Sequence, residues 1–180
     1  VAVIGGGNTA IDAVRTAIRL DAKQATIVYR RSEEEMPARA EEIKHAREEG
    51  TEFFNLHNPV EYLGDESGHV TAMRLERMEL GAPDESGRRR PVATGEIITV
   101  PVDEVIICIG YSASTLVTKS MPELEVNKWG NIVVDEGKKT SMPDVYAGGD
   151  IVRGAATVIL AMGDGRRAAT AMHQKLSGRI

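Results

Sequence analysis

Val1-Ala2-Val3-Ile4-Gly5-Gly6-Gly7-Asn8-Thr9-Ala10-Ile11-Asp12 opens the chain and decides its fold class. Four apolar residues read as a buried strand, and three glycines end it. Behind them Ile11, Val14 and Ile18, with Ala10, Ala13 and Ala17, recur at helical spacing, while Asp12, Arg15, Thr16 and Arg19 take the other face. A polar turn around Asp21-Ala22-Lys23-Gln24 leads to a second short strand, Thr26 to Tyr29, and completes a βαβ unit. Such parallel units need right-handed crossovers and a sheet covered on both faces. The expected class is therefore α/β, with a Rossmann-like parallel sheet.

Beyond this unit, Ser32-Glu33-Glu34-Glu35-Met36-Pro37 suits a helix start, with the acids serving the positive end of the helix dipole. That helix carries Ala40, Ile43 and Ala46 on one face, pairs Lys44 with Glu48 on the other, and stops at Gly50. Phe53 to Leu56 reads as a third strand. From Val70 to Val102 β-rich segments surround a loop with Gly81, Pro83, Gly87 and Gly95, the pattern of an inserted antiparallel β-ribbon. Val105 to Ile109 returns to a fully apolar strand and ends on Gly110, closing a first domain over residues 1–110. In residues 111–180, Leu124 to Val126 and Ile132 to Val134 suggest a hairpin. A final helix is expected from about Ala155 to Leu176, in two parts around Gly163-Asp164-Gly165.

Composition narrows the function classes. The 180 residues carry 22 Lys+Arg against 27 Asp+Glu, a net charge of −5 that argues against a nucleic-acid or anionic-membrane footprint. Aromatic residues make up only 4%, too few for base-stacking platforms. No apolar run approaches the ~20 residues of a spanning helix. The single Cys108 excludes an internal disulfide, a CxxC redox pair and any multi-cysteine metal or Fe–S site in these residues. A reducing, cytoplasmic setting is expected. His45, His57, His69 and His173 are scattered, so no metal site is assigned. Arg88-Arg89-Arg90 is read as a solvated loop, and Cys108, Trp129 and Met162 as packing residues.

Three motifs carry chemistry. Gly5-x-Gly7-x-x-Ala10, placed between a strand and a helix, has the context of a dinucleotide fingerprint. Gly5 permits the tight turn, Gly7 lets a pyrophosphate approach the backbone, and Ala10 allows close helix–sheet packing. The unpaired N–H groups at the helix start then hold the phosphates. A plain strand-to-helix turn is the alternative. At the end of the second strand, where a carboxylate would bind the ribose of NAD, stand Arg30 and Arg31, followed by Ser32. Guanidinium groups there can clamp the 2′-phosphate of NADP, the alternative being a merely solvated strand edge. The third motif, Ala147-Gly148-Gly149-Asp150-Ile151 before a small-residue helix start at Gly154 to Thr157, either brings a carboxylate to a cofactor edge or caps a helix.

The order GGGNTAID, VYRRSEEEMPA with AREEG, IICIGY, then PDVYAGGD with GAATVILAMGDGRRAA resembles the NADPH-dependent small (beta) subunit family of glutamate synthase. Dihydropyrimidine dehydrogenase and ferredoxin-NADP transhydrogenase subunits are its relatives. The resemblance covers nearly the whole chain. It implies an NADP(H) domain inserted in an FAD domain, hydride transfer from NADPH to FAD, and onward delivery to a large subunit or other partner chain. Residue by residue, it implies a pyrophosphate loop at Gly5, Gly7, Asn8, Thr9 and Ala10, and a 2′-phosphate clamp at Arg30 and Arg31. Gly110 matches the strand end near the nicotinamide. Gly149 and Asp150 match the flavin motif, and the backbone around Ala156 and Thr157 would face the flavin ring.

The family's own FAD fingerprint and the cysteine motifs for Fe–S clusters, which precede this region in many members, do not occur in these residues. Residue 1 is Val, so a piece of a longer protein is expected, with its start at the first strand of the NADPH domain and only half of a flavin site. Exposed apolar surface on the second part, mobile or covered by self-association, follows. No general acid or base is assigned, because hydride transfer between two bound cofactors needs mainly position and orientation. A short-chain dehydrogenase would need Tyr-x3-Lys, which none of Tyr29, Tyr62, Tyr111 or Tyr146 provides. A disulfide reductase would need the missing CxxC. A non-catalytic NADP-binding module remains open.

Overall fold

Period-two alternation along the opening strand sends its apolar residues to both faces of a sheet, so both faces must be covered. The computed structural model describes residues 1–83 and 87–178. It divides into two units, Val1–Ile109 and Gly110–Ile180. The first runs β1 (Ala2–Ile4), α1 (Asn8–Arg19), β2 (Thr26–Tyr29), a one-turn 3-10 helix (Glu33–Glu35), α2 (Ala40–Glu48), β3 (Glu52–Asn55), β4 (His57–Gly64), β5 (Val70–Pro83), β6 (Arg89–Pro101) and β7 (Val105–Ile107).

Four strands form a parallel sheet in the order β3-β2-β1-β7. Val3 lies opposite Ile27 and Ile106 in its core. Val3 and Ile27 pack on one face with Ile11 and Val14 of α1 and Ile43 and Ala46 of α2. Ala2, Ile4 and Val28 face the other way, onto Met73, Leu75 and Val102. Ile11, Val14, Ile27 and Leu75 are fully enclosed, each contributing about 2 kcal/mol by removal from water. The second face is thus covered by an antiparallel sheet instead of helices, and that sheet also makes the connection from β3 to β7.

The inserted sheet has three strands, ordered β4-β5-β6, where the sequence suggested a ribbon beginning at Val70. The additional strand, β4, is an edge strand containing Pro59, which hides the strand pattern in the sequence. Residues 84–86 of the expected ribbon loop lie outside the described residues. The acidic run also differs from expectation. Met36, which precedes Pro37, is extended at φ −67° and ψ 130°, as the proline ring requires. Glu33–Glu35 therefore forms its own turn, and α2 begins only at Ala40. Glu33 pairs with Arg47 instead of serving a helix start. Lys44 and Glu48 do pair, at 3.6 Å.

The second unit contains α3 (Thr115–Ser120), α4 (Asp150–Arg153) and α5 (Val158–Leu176). The expected hairpin is reduced to an isolated bridge between Val126 and Ile132, supported by the Val133 amide donating to the Glu125 carbonyl at 2.9 Å. The last helix starts at Val158 rather than near Ala155, and it runs unbroken through Gly163-Asp164-Gly165. Trp129 and Met162 do not pack; they are 68% and 64% exposed. Lys128 lies over the Trp129 ring instead. Among the described residues no helix is long and apolar enough to cross a membrane.

Candidate functional site

The glycine turn is built by a steric demand. Gly5 sits at φ +143°, its amide donating to the Val28 carbonyl at 3.0 Å, and a Cβ there would lie 2.3 Å from the Cys108 carbonyl oxygen. Only glycine allows the end of β1 to lie that close to the residue after β7. Cys108 is half-buried, and burial pushes its thiol pKa up. Gly7 caps α1 from an extended conformation, with no side-chain capping bond and no acid in the first turn. Its carbonyl accepts from the Ala10 and Ile11 amides at 3.0 and 3.2 Å. The helix start therefore presents amide dipoles without a capping carboxylate to neutralise them, the arrangement that favours an anion.

Around that start, Ala10 is fully buried and Thr9 is exposed. Asn8 is also exposed, and its Oδ1 accepts from the Arg39 amide at 3.0 Å. With the Ala38 amide donating to the Gly6 carbonyl at 3.1 Å, this holds residues 38 and 39 against the loop. Away from the loop, α1 and α2 are joined by Arg15, which donates to Glu42 and Glu49 at 2.7 and 2.9 Å, and by Arg19, at 2.5 Å from Glu49. These guanidinium groups lower the Glu49 pKa to about 2.

Arg30 and Arg31 follow β2 directly but take different environments. Arg30 is exposed. The Arg31 side chain is 10% exposed; its Nε donates to the Arg89 carbonyl at 2.8 Å and lies 3.9 Å from Glu35 Oε2. Ser32 donates to Glu34 at 2.9 Å. Arg88 and Arg89, read from the sequence as a solvated loop, are engaged. Arg88 Nη2 donates to the Tyr29 hydroxyl at 3.0 Å and to the Glu35 carbonyl at 2.9 Å, and the Arg89 amide donates to Glu35 Oε1 at 3.0 Å.

The remaining predicted residues lie in the second unit. Gly110 is exposed at φ +89°. Gly149, at φ +75°, precedes α4, whose first residue, Asp150, is exposed. Ala156 is exposed, and Thr157 caps α5 without a side-chain hydrogen bond. Of these positions, Gly149 is held by a residue that sequence reasoning missed. Asp164 is completely enclosed and accepts from Arg153 Nε at 2.6 Å, Arg153 Nη2 at 2.7 Å and the Gly149 amide at 3.1 Å, with Lys138 Nζ at 2.9 Å. Arg153 and Lys138 hold its carboxyl well below the usual carboxylate range, and Asp164 in turn raises Arg153. Gly148 is required for this approach, since a Cβ there would stand 2.7 Å from that of Asp164. The available signal was a charged residue between two glycines in a helix of small residues.

A groove of about 580 Å³ in the second unit is lined by Glu136, Gly137, Arg166, Arg167 and Gln174 among others, and by none of the predicted flavin residues.

Comparison with known proteins places these features in context. The sequence model described as pyridine nucleotide-disulphide oxidoreductase matches residues 1–173. The glutamate synthase [NADPH] small chain of Escherichia coli is 42% identical over 175 residues, which are 94% of this chain and 37% of that protein. The NADP(+)-dependent formate dehydrogenase subunit beta of Moorella thermoacetica is 45% identical over 178 residues, 98% of this chain and 25% of that one. This chain therefore spans well under half the length of these relatives. Among solved structures, T. acidophilum thioredoxin reductase aligns with a TM-score of 0.77 at 26% identity, over 97% of this chain and 51% of that chain. Mycobacterium tuberculosis FprA in complex with NADPH aligns at 0.73 and 20% identity, over 98% and 52%, a likeness of fold.

Proposed function

The chain belongs to the pyridine nucleotide-disulphide oxidoreductase family, and from that premise we propose that residues 1–110 bind NADP(H) and residues 111–180 supply part of an FAD site. The whole protein then passes hydride from NADPH to FAD and onward to a partner chain in the cytoplasm, in the manner of a glutamate synthase small subunit. The observation that carries this reading is the uncapped start of α1 directly behind Gly5 and Gly7, at the carboxyl end of a strand central in the β3-β2-β1-β7 sheet. That is where open α/β sheets bind nucleotides.

The residues present fit the groups they would hold. The α1 amides would donate to a pyrophosphate lying over the bare Gly7 backbone, with Asn8, Thr9 and Ala10 shaping the first turn. Arg30 offers an exposed guanidinium to the 2′-phosphate, and Arg31 adds positive charge behind it. Gly110 marks the nicotinamide side. In the second unit, the exposed Asp150 carboxylate can accept from a flavin hydroxyl, and the small residues before Thr157 allow a ring to approach the backbone. When bound, NADPH supplies a hydride, two electrons with one proton, to the flavin. The protein's residues bind and orient, and none is needed to move a proton. Any Fe–S cluster would be held outside these residues, which contain the single Cys108.

Calorimetric titration tests the proposal. NADPH is expected to bind more tightly than NADH, and Arg30→Ala with Arg31→Ala should erase the difference. Equal affinity of the unsubstituted chain for the two nucleotides sinks the reading. The 180-residue chain alone is expected to bind NADPH without reducing added FAD, because it contributes only half of the flavin site.

A further inference from the structure

The start of β6, with Arg88 just before it, is tied to the end of β2 by a set of contacts that the nucleotide reading leaves unused. Tyr29 stands at their centre. One edge of its ring lies against the phosphate loop, so closely that a Cβ on Gly6 would fall 2.7 Å from the ring carbons. Its hydroxyl donates to the Glu35 carbonyl at 2.9 Å and accepts from Arg88 Nη2 at 3.0 Å. Glu35, with a side chain only 13% exposed, accepts from the Arg89 amide through Oε1. Its Oε2 is buried without a hydrogen-bond partner, 3.9 Å from Arg31 Nε. Arg31 Nε in turn donates to the Arg89 carbonyl.

Two consequences follow from the chemistry. First, the ribbon backbone at Arg89 holds Arg31, so the direction of the Arg31 guanidinium is set from a segment 58 residues away in sequence. Second, the Arg88 guanidinium lies beside Tyr29 and Glu35, next to the residues that follow β2, where an isolated cation pair of Arg30 and Arg31 was expected. Bringing guanidinium groups together costs repulsion, and the half-buried Glu35 carboxylate, 3.9 Å from Arg31 Nε, lessens it on the Arg31 side before any ligand arrives. A site assembled in advance in this way suits a dianionic phosphomonoester, whose oxygens accept several charge-assisted hydrogen bonds.

We propose that the start of β6 is a specificity element of the nucleotide site: Arg88 is a third cation for the 2′-phosphate of NADP(H), with Tyr29, Glu35 and the Arg89 backbone as its positioning groups. The proposal rests on the NADP(H) reading above. It accounts for an inserted sheet in which the start of β6 returns to the cofactor strand.

The test uses the full chain and measures NADPH and NADH dissociation constants together with Tm. Arg88→Ala should weaken NADPH about tenfold, the loss of one charge-assisted contact, while NADH changes less than about twofold. Arg88→Lys, which keeps the charge, should recover most of the loss. A purely structural tie would weaken both nucleotides alike or neither, with no rescue by lysine, and either result overturns the proposal. Should Arg88→Ala fail to fold, Tyr29→Phe removes only the hydroxyl and should reduce the NADPH preference about threefold; an unchanged preference overturns the proposal. The two readings fail separately. If the unsubstituted chain prefers NADPH and Arg30→Ala abolishes that preference while Arg88→Ala leaves it intact, only the ribbon's role is lost. If the unsubstituted chain shows no preference, both are lost.

Discussion

In the first unit Val3, Ile11, Val14, Ile27 and Leu75 close around the strands. In the second the enclosed centre is the carboxylate of Asp164, and Leu124, Ile132 and Ala168 are the only buried apolar side chains among the described residues. The difference is one of kind. Apolar burial is non-directional and roughly proportional to area, so many arrangements of the right volume succeed. A buried carboxylate holding Arg153, Lys138 and the Gly149 amide is directional, and loss of one partner leaves charge uncompensated. The second unit also leaves large apolar residues in water, Val158, Ile159, Met162 and Leu176 on α5 among them, Ile159 at 80% exposure. The first unit closes apolar clusters on both faces of its parallel sheet, whereas the second buries few apolar side chains and is organised through polar contacts.

The sharpest way to break the first side of this comparison is Gly5→Ala. A methyl group 2.3 Å from the Cys108 carbonyl forces β1 and the segment after β7 apart, and a loss on the order of 4 kcal/mol is expected in urea melts. Stability within about 1 kcal/mol of the parent chain would mean that the contact relaxes cheaply. Next in size is Asp164→Asn. It should lower the Tm of the second unit on the order of 10 °C and speed amide exchange along α5, while NADPH affinity stays unchanged. Exchange in α5 equal to that of the parent would show that the carboxylate is not what holds the second unit.

The smallest effect is a pH dependence at the α1–α2 junction. The Glu49 pKa lies at about 2, below its ordinary value of 4.5. Its contribution is therefore present above about pH 4.5 and is lost as pH falls through about 2. Glu49→Gln should be less stable than the parent at pH 6, with the gap shrinking toward pH 2, and added salt should narrow it because the pair is solvent-accessible. Urea melts that show the same gap at both pH values would contradict this assignment.

Much of the first unit was legible. The helical spacing of Ile11, Val14 and Ile18, the glycines after Ile4, and the apolar run at Val105 each express a local rule, periodicity or backbone freedom, that operates over a few residues. The site was less legible where partners are distant. Arg88 reads as a solvated loop residue until its contact with Tyr29 is seen, and Asp164 reads as a break in a helix until Arg153 and Lys138 surround it. Trp129 and Met162, expected to pack by composition, face solvent, because hydrophobicity says what a residue favours and not whether a partner surface stands opposite it.

By itself the sequence determined the βαβ opening, the glycine turn at Gly5 to Gly7, the arginine pair after β2 and the presence of an inserted antiparallel segment. These follow from torsional limits and from hydrophobic periodicity, which every short stretch carries within itself. Tertiary structure alone decided that the inserted sheet covers the second face of the parallel sheet, that Arg31 is buried while Arg30 is exposed, and that Asp164 is the centre of the second unit. Those outcomes depend on desolvation and on charge pairing between segments far apart in the chain, and a group's burial and partners exist only once the chain has folded.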